Sequence, residues 1–364
     1  MVHTLEIVQE ISMVQLCALT EGFSFPQQQV RSLLFSSEPR VSFHVSLGRR
    51  YPGVNSLWLR RVRYNGTNYY YALMRLEPQA LIQRQRTINL FHATNDNVDV
   101  LRDSFHELMN HFIDDRFSNL VTLEDWSCQR IDYSHNLYFD SPEEIDLFLY
   151  LSRHTSRHVR RVVKSIGELP DSEQSTAEGN RSTKATFYGK RRQVEDTYIH
   201  IPQRDYERLH AAACNIVRFE YQCKRNKVQS LKRRQGFDTR SIINYLDEGL
   251  SRELLLKVYD ESIGRGDFYK RDELRRRIQD ANLKPRMKDK LCQFVELVSN
   301  ARPRSMSKAK EIFMNGTAGS HGSAITFANY CKRLAEIGVH PLSIPRDMAL
   351  DYLQNPVEQL EYPQ

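Results

Sequence analysis

The apolar pattern of this chain turns wholly helical after Gly236, and that change constrains the fold more than any other feature. Before it, "HTLEIV", "VSFHVSL", "LWLRRVRY" and "YYYALMRL" alternate as strands do, and Asn65-Gly66 in "YNGTN" is a hairpin-turn dipeptide. After it, from Asp238 to about His340, apolar residues recur at helical spacing in "TRSIINYLDEGL", "RELLLKVYDESI", "KRDELRRRIQDANL", "KDKLCQFVELVSN" and "ITFANYCKRLAEIG". The expected class is α+β: an antiparallel sheet with covering helices over residues 1–237, then an all-helical domain over residues 238–364.

Between the early strands and the boundary the pattern is mixed. In "DVLRDSFHELMNHFIDDRF", Leu101, Phe105, Leu108 and Phe112 form one apolar helix face. A strand is expected over residues 127–140, and a second helix opens at Ser141 with Pro142 in its first turn. "GELPDSEQSTAEGNRSTK", residues 167–184, has almost no large apolar residue and reads as a surface loop. Three further strands are expected in "ATFYG", "DTYIHI" and "NIVRFEYQC".

No run of about eighteen apolar residues exists, and the N-terminal "MVHTLEIVQEISMVQL" alternates and carries charge, so the expectation is a cytoplasmic protein with neither span nor signal peptide. Six scattered cysteines with no C-x-x-C pair argue against a structural zinc site or a disulfide framework. The net charge of +7 is concentrated: residues 181–240 hold fifteen Lys and Arg against six Asp and Glu, leaving the rest of the chain slightly acidic. Nucleic acid is the usual partner of such a segment, because neutralised phosphates release their counterions. A solvated basic face is the competing reading.

Aspartate is poorly suited to a strand interior, yet "SCQRIDYSHNLYFD" carries Asp132 between Ile131 and Tyr133. Period two puts Asp132, Ser134 and Asn136 on one face of this strand, Tyr198 and His200 together on another, and Arg218 with Glu220 on a third. Neighbouring strands would bring these groups together. Carboxylates with an imidazole or amide suit a hard cation such as Mg²⁺ or Mn²⁺. A tyrosine beside that cation can attack a phosphodiester, while Arg218 and the run Lys190, Arg191 and Arg192 can hold flanking phosphates. A solvated sheet face with incidental charges fits the same pattern.

The motif order is more specific than any single motif. "RID" on a strand, then "FYGKRR", "DTYIHIPQRDYE" and "IVRFEYQCKR" resembles the replication initiators of rolling-circle plasmids and the related filamentous-phage replication proteins, over roughly residues 95–235. The resemblance implies a metal-dependent DNA nicking and joining enzyme. Its tyrosine would form a 5′-phosphotyrosyl link and leave a free 3′-hydroxyl. Asp132 and Glu220 then match the motif acids, His200 and Asn136 are further ligand candidates, and Tyr198 is the nucleophile with Tyr188 its competitor. Single- and double-stranded DNA would be the partner, through Lys190, Arg191, Arg192, Arg218, Lys224, Arg225, Arg233 and Arg234, with a host helicase and a second protomer as further partners. The sequence departs from the family at "IPQRDYE", where Pro202 and Gln203 replace an aromatic and an acid, and it has no His-hydrophobic-His motif. The alternative is a non-catalytic origin- or operator-binding protein, recognising DNA through the helical half, where Thr326 is the expected cap of "ITFANYCKRLAEIG". An integrase-like strand transferase is a third reading, but it would place its Arg/His/Arg/Tyr set on helices.

Overall fold

The computed structural model describes residues 1–48, 50–113, 117–155, 175–198, 200–301, 305–316 and 322–362, with backbone alone for 175–178. The fold is α+β, as expected. Eight strands form one sheet in the order β2-β3-β4-β1-β5-β8-β7-β6: β1 (Val2–Ile11), β2 (Arg40–Ser46), β3 (Val54–Tyr64), β4 (Thr67–Leu76), β5 (Ser127–Tyr138), β6 (Ser175–Gly179), β7 (Thr183–Gly189) and β8 (Ile216–Cys223). The chain divides into two compact units, discontinuous in sequence. Unit 1 comprises 1–135, 181–184 and 221–252; unit 2 comprises 136–180, 185–220 and 253–364.

In unit 1 the hairpin β3–β4 closes on the pair Tyr64 and Thr67, and both turn residues, Asn65 at φ 49° and Gly66 at φ 81°, are left-handed. A two-residue turn with that geometry matches the twist of the flanking strands, which is why Asn-Gly was diagnostic. Leu57, Leu59, Ala72, Met74, Leu5 and Ile7 line the buried face of these strands. Against the alternating expectation, the first eighty residues also hold helices α1 (Met13–Gly22) and α2 (Gln27–Phe35). The local cause of the first is a reciprocal cap: Ser12 Oγ accepts from Gln15 N at 3.2 Å, and Gln15 Oε1 accepts from Ser12 N at 2.8 Å. After β4 come α3 (Pro78–Gln83), α4 (Asn95–Asn110) and α5 (Ser118–Val121). The α4 core face is Val98, Leu101, Phe105 and Met109; Phe112 lies past the helix end and stacks on Phe23 at 4.1 Å. Gly53, at φ 87°, is required where its backbone passes α3: a Cβ there would meet Leu81 N at 2.2 Å. Helix α9 (Arg225–Gln235) ends on Gly236 at φ 72°, the left-handed cap that marked the change of period. A short 3-10 turn, Ile242–Tyr245, follows, and the Tyr245 carbonyl accepts from the buried Tyr133 hydroxyl at 3.0 Å.

In unit 2, α6 (Pro142–Thr155) starts as read, with Glu144 N donating to Ser141 Oγ at 3.3 Å. "ATFYG" and "NIVRFEYQC" are strands, and their Phe187 and Phe219 rings lie parallel at 4.4 Å. "DTYIHI" is not a strand, which corrects the phasing of Tyr198 and His200. Asp196 and Thr197 end helix α7 (Lys190–Thr197), Tyr198 N caps it on Val194 O at 3.0 Å, and Pro202 leads into α8 (Gln203–Ala212). Ion pairs Arg191–Glu195 and Arg192–Asp196, four residues apart, support α7, and only Val194 need be buried among its apolar positions. Ile199, expected on the core face of that strand, lies outside the described residues. So do residues 167–174 of the expected loop, whereas 175–179 form β6 and Thr183 begins β7; pairing within the sheet overrides a polar composition there.

Among the described residues six helices follow: α10 (Glu248–Ser262), α11 (Arg271–Asp280), α12 (Pro285–Asn300), α13 (Met306–Asn315), α14 (Ala324–Glu336) and α15 (Val357–Glu361). A two-strand pair, β9 (Phe268–Tyr269) with β10 (Tyr352–Leu353), joins them. The cap of α14 is Ser323, accepting from Thr326 N at 3.2 Å, and not Thr326 itself. Among the described residues no helix is long and apolar enough to cross a membrane.

Candidate functional site

The sequence-predicted residues fall into two clusters, one in each unit. In unit 1 the polar face of β5 is not solvated: Asp132 is 1% exposed. Arg130, two residues away and so on the same strand face, grips it with Nε to Oδ1 at 2.8 Å and Nη2 to Oδ2 at 2.6 Å. The Arg130 Nη1 donates to Glu6 Oε1 at 3.1 Å, and Glu6 also accepts from Arg75 Nη2 at 2.6 Å. In the amide orientation that satisfies both its ends, Gln222 accepts from Arg130 Nε at 3.0 Å. Both oxygens of Asp132 are thus engaged by one planar fork, the geometry that makes arginine the preferred carboxylate partner.

In unit 2 the Tyr188 hydroxyl, on β7, donates to Glu220 Oε1 on β8 at 2.6 Å. Burial pushes the Tyr188 phenol well above the ordinary tyrosine range; the Glu220 charge adds to that, Arg218 opposes it, and the Glu220 hydrogen bond and the neighbouring Tyr198 raise it further. Arg218 is completely buried and donates through Nε to Asn136 Oδ1 at 3.0 Å. Lys190 is 2% exposed, 5.9 Å from the Tyr188 ring centroid, and its Nζ donates to Gln193 Oε1 at 2.7 Å. Buried at the head of α7 and within β8, these two cations face protein groups, which corrects their assignment to DNA phosphates. Tyr198 is half-buried, and His200 is exposed in the turn after α7.

Of the cations predicted to meet DNA, those exposed are Arg191 and Arg192 on α7, Arg225 at the start of α9, and Arg233 and Arg234 in its last turn; Lys224, at the α9 cap, is half-buried. Arg191 and Arg192 are shared with Glu195, and Arg191 Nε also donates to His210 Nε2 at 2.9 Å. On α9 the terminal cations are exposed and meet the negative end of the helix dipole.

Among the described residues no group of three or more His, Cys, Asp or Glu side chains converges as a metal site. At Asp132 a divalent cation has to displace Arg130, at Glu220 the Tyr188 hydroxyl, and at Asn136 the Arg218 guanidinium. This pre-engaged donor set does not fit a resident Mg²⁺ or Mn²⁺.

Sequence reasoning missed Glu6, Arg75 and Gln222. The Arg130–Asp132 pairing was available in "RID", since residues two apart share a strand face, but the strand order that brings Glu6 beside Arg130 has no local signal. No family model, no curated protein and no solved structure matches this chain.

Proposed function

We propose that the chain is a replication initiator that binds an origin and nicks one DNA strand through a tyrosyl-DNA intermediate, as its motif order implies. The observation that carries this reading is the 2.6 Å hydrogen bond from Tyr188 to Glu220, with the half-buried Tyr198 near enough for its charge to weigh on Tyr188. The Tyr188 hydroxyl thereby fixes Glu220 as a carboxylate that can take a proton from a nucleophile beside it, the base that phosphodiester attack requires. Tyr198 is the nucleophile in this reading because the Tyr188 ring is buried and its phenol is held protonated. The Tyr198 oxygen bonds to phosphorus, the bond from phosphorus to the 3′-oxygen breaks, and the departing 3′-oxygen takes up a proton. Glu220 is assigned as acceptor of the phenolic proton, with Tyr188 as its positioning residue. Exposed arginines of α7 and α9 supply phosphate contacts.

The test is cleavage of supercoiled DNA bearing the element's own origin. Tyr198→Phe should abolish both the nick and the covalent adduct, whereas Tyr188→Phe should reduce the rate and retain the adduct. The reverse pattern transfers the role to Tyr188, and an adduct surviving in both variants removes tyrosine catalysis at these positions.

The closure of Asp132 on Arg130 favours one second reading, a non-catalytic origin- or operator-binding protein in which these polar clusters only hold the sheet. Origin binding without any nick in the unmodified protein would select it.

A further inference from the structure

We propose that the half-exposed face of the unit 1 sheet is a platform for single-stranded DNA. The proposal rests on the nucleic-acid part of the function above but not on nicking. Its principal residues lie between 40 and 75, outside the stretch that carries the family resemblance.

The register defines the face. Arg60 lies opposite Ser42 on β2 and Tyr71 on β4, and Trp58 opposite His44 and Leu73. Tyr69, two residues before Tyr71, shares their side and is 37% exposed. These residues alternate with the core set, so each turns away from the apolar interior. The His44 ring stacks on Trp58 at 5.6 Å, and the Arg75 guanidinium stands 5.7 Å from the Trp58 centroid, so π-faces and cations already alternate along the surface.

The charges on this face are matched where Arg75 and Arg130 meet Glu6 and Asp132, and unmatched at the β2 end. Arg75 and Arg130 share one carboxylate, Glu6, and Arg130 also holds Asp132. At the β2 end Arg40 and Arg60 are close enough to repel, and Arg60 Nε is buried without a hydrogen-bond partner. Glu10 weighs on Tyr71 from β1, and Arg225 of α9 opposes it. The Arg40 and Arg60 pair, next to the rings of Trp58, Tyr69 and Tyr71, suits a polyanion whose bases are free to stack. A duplex offers the same phosphates but keeps its base faces stacked, so the rings select the single strand.

The chain has two tryptophans, which makes the test direct. Trp126 is completely buried and Trp58 is half-exposed, so base stacking should quench Trp58 alone. The full-length protein is titrated with an oligothymidine of roughly 12 nucleotides, within the site size of one such platform. Saturable quenching is expected, retained in Trp126→Phe and lost in Trp58→Phe. By fluorescence anisotropy, Tyr71→Ala should weaken binding about tenfold, and Arg60→Gln should lower the salt slope by about one. Unchanged circular dichroism would show both variants folded. No cleavable origin is present, so failure to nick leaves this result untouched. Equal binding of a duplex, tighter binding of oligouridine, or undiminished affinity in Tyr71→Ala would overturn the proposal.

Discussion

The β3–β4 hairpin and strand β5 belong to the same sheet but solve opposite problems. Along β3 and β4, buried and half-exposed residues largely alternate, and Arg60 and Arg75 sit on the wetter side, with Arg61 the buried exception, donating to the Glu38 carbonyl at 2.7 Å. Along β5 every residue from Ile131 to Leu137 is buried, so Asp132, Ser134 and Asn136 have no water to turn to. The first strand type needs only a pattern, whereas the second needs partners, because an unpaired buried charge is far costlier than an exposed one.

The sharpest way to break this contrast is to remove one carboxylate from each environment. Asp132→Asn should cost about 3 to 5 kcal/mol, since it breaks a buried pair, while Glu6→Gln, about a quarter exposed, should cost about 1 kcal/mol. Urea unfolding of the two variants measures the difference, and equal losses would show that β5 is wetter than its burial indicates.

Next in size is Tyr188→Phe, which leaves a Glu220 oxygen without its donor and should cost about 1 to 3 kcal/mol. The folded-state phenol is raised, so its contribution is fully present below about pH 10, where the unfolded tyrosine is still neutral, and is lost as pH rises toward the folded value. Tyr133 and Tyr259 are raised in the same sense by burial. Alkaline unfolding should therefore set in above about pH 10 and be shallower in Tyr188→Phe, which circular dichroism against pH would follow.

The smallest effect separates a real cap from an apparent one. Ser323→Ala should cost about 1 kcal/mol, and Thr326→Ala less than about 0.5 kcal/mol, because Ser323 Oγ is what accepts from the first turn of α14. Thermal unfolding would rank them.

What could be read ahead of the structure follows the same division. The Asn65-Gly66 turn and the Leu101 and Phe105 part of the α4 face were legible because each depends on residues close in sequence. Asp196, Thr197 and Tyr198, the end and cap of α7, were misread as strand because "DTYIHI" alternates and the ion pairs of the helix lie upstream, in Arg191 and Arg192. At the candidate site, Asp132, Glu220 and Arg218 were singled out by phase, but their partners were not: Glu6 is 124 residues from Arg130, and Asn136 is 82 from Arg218. Burial of both sides of β5 has no two-residue signature at all.

The discontinuity of unit 1 bears on how the chain acquires its shape during synthesis. The strand carrying Tyr133 is complete long before the segment that receives its hydroxyl, 112 residues later, has been made. Residues 1–135 must wait for 221–252, so unit 1 is completed late, through contacts of high sequence separation, and its folding should be slow relative to that of a domain built from local pairings. A nascent chain halted near Gly236 would still lack Tyr245, which makes 252 a safer point than 236 at which to shorten this protein.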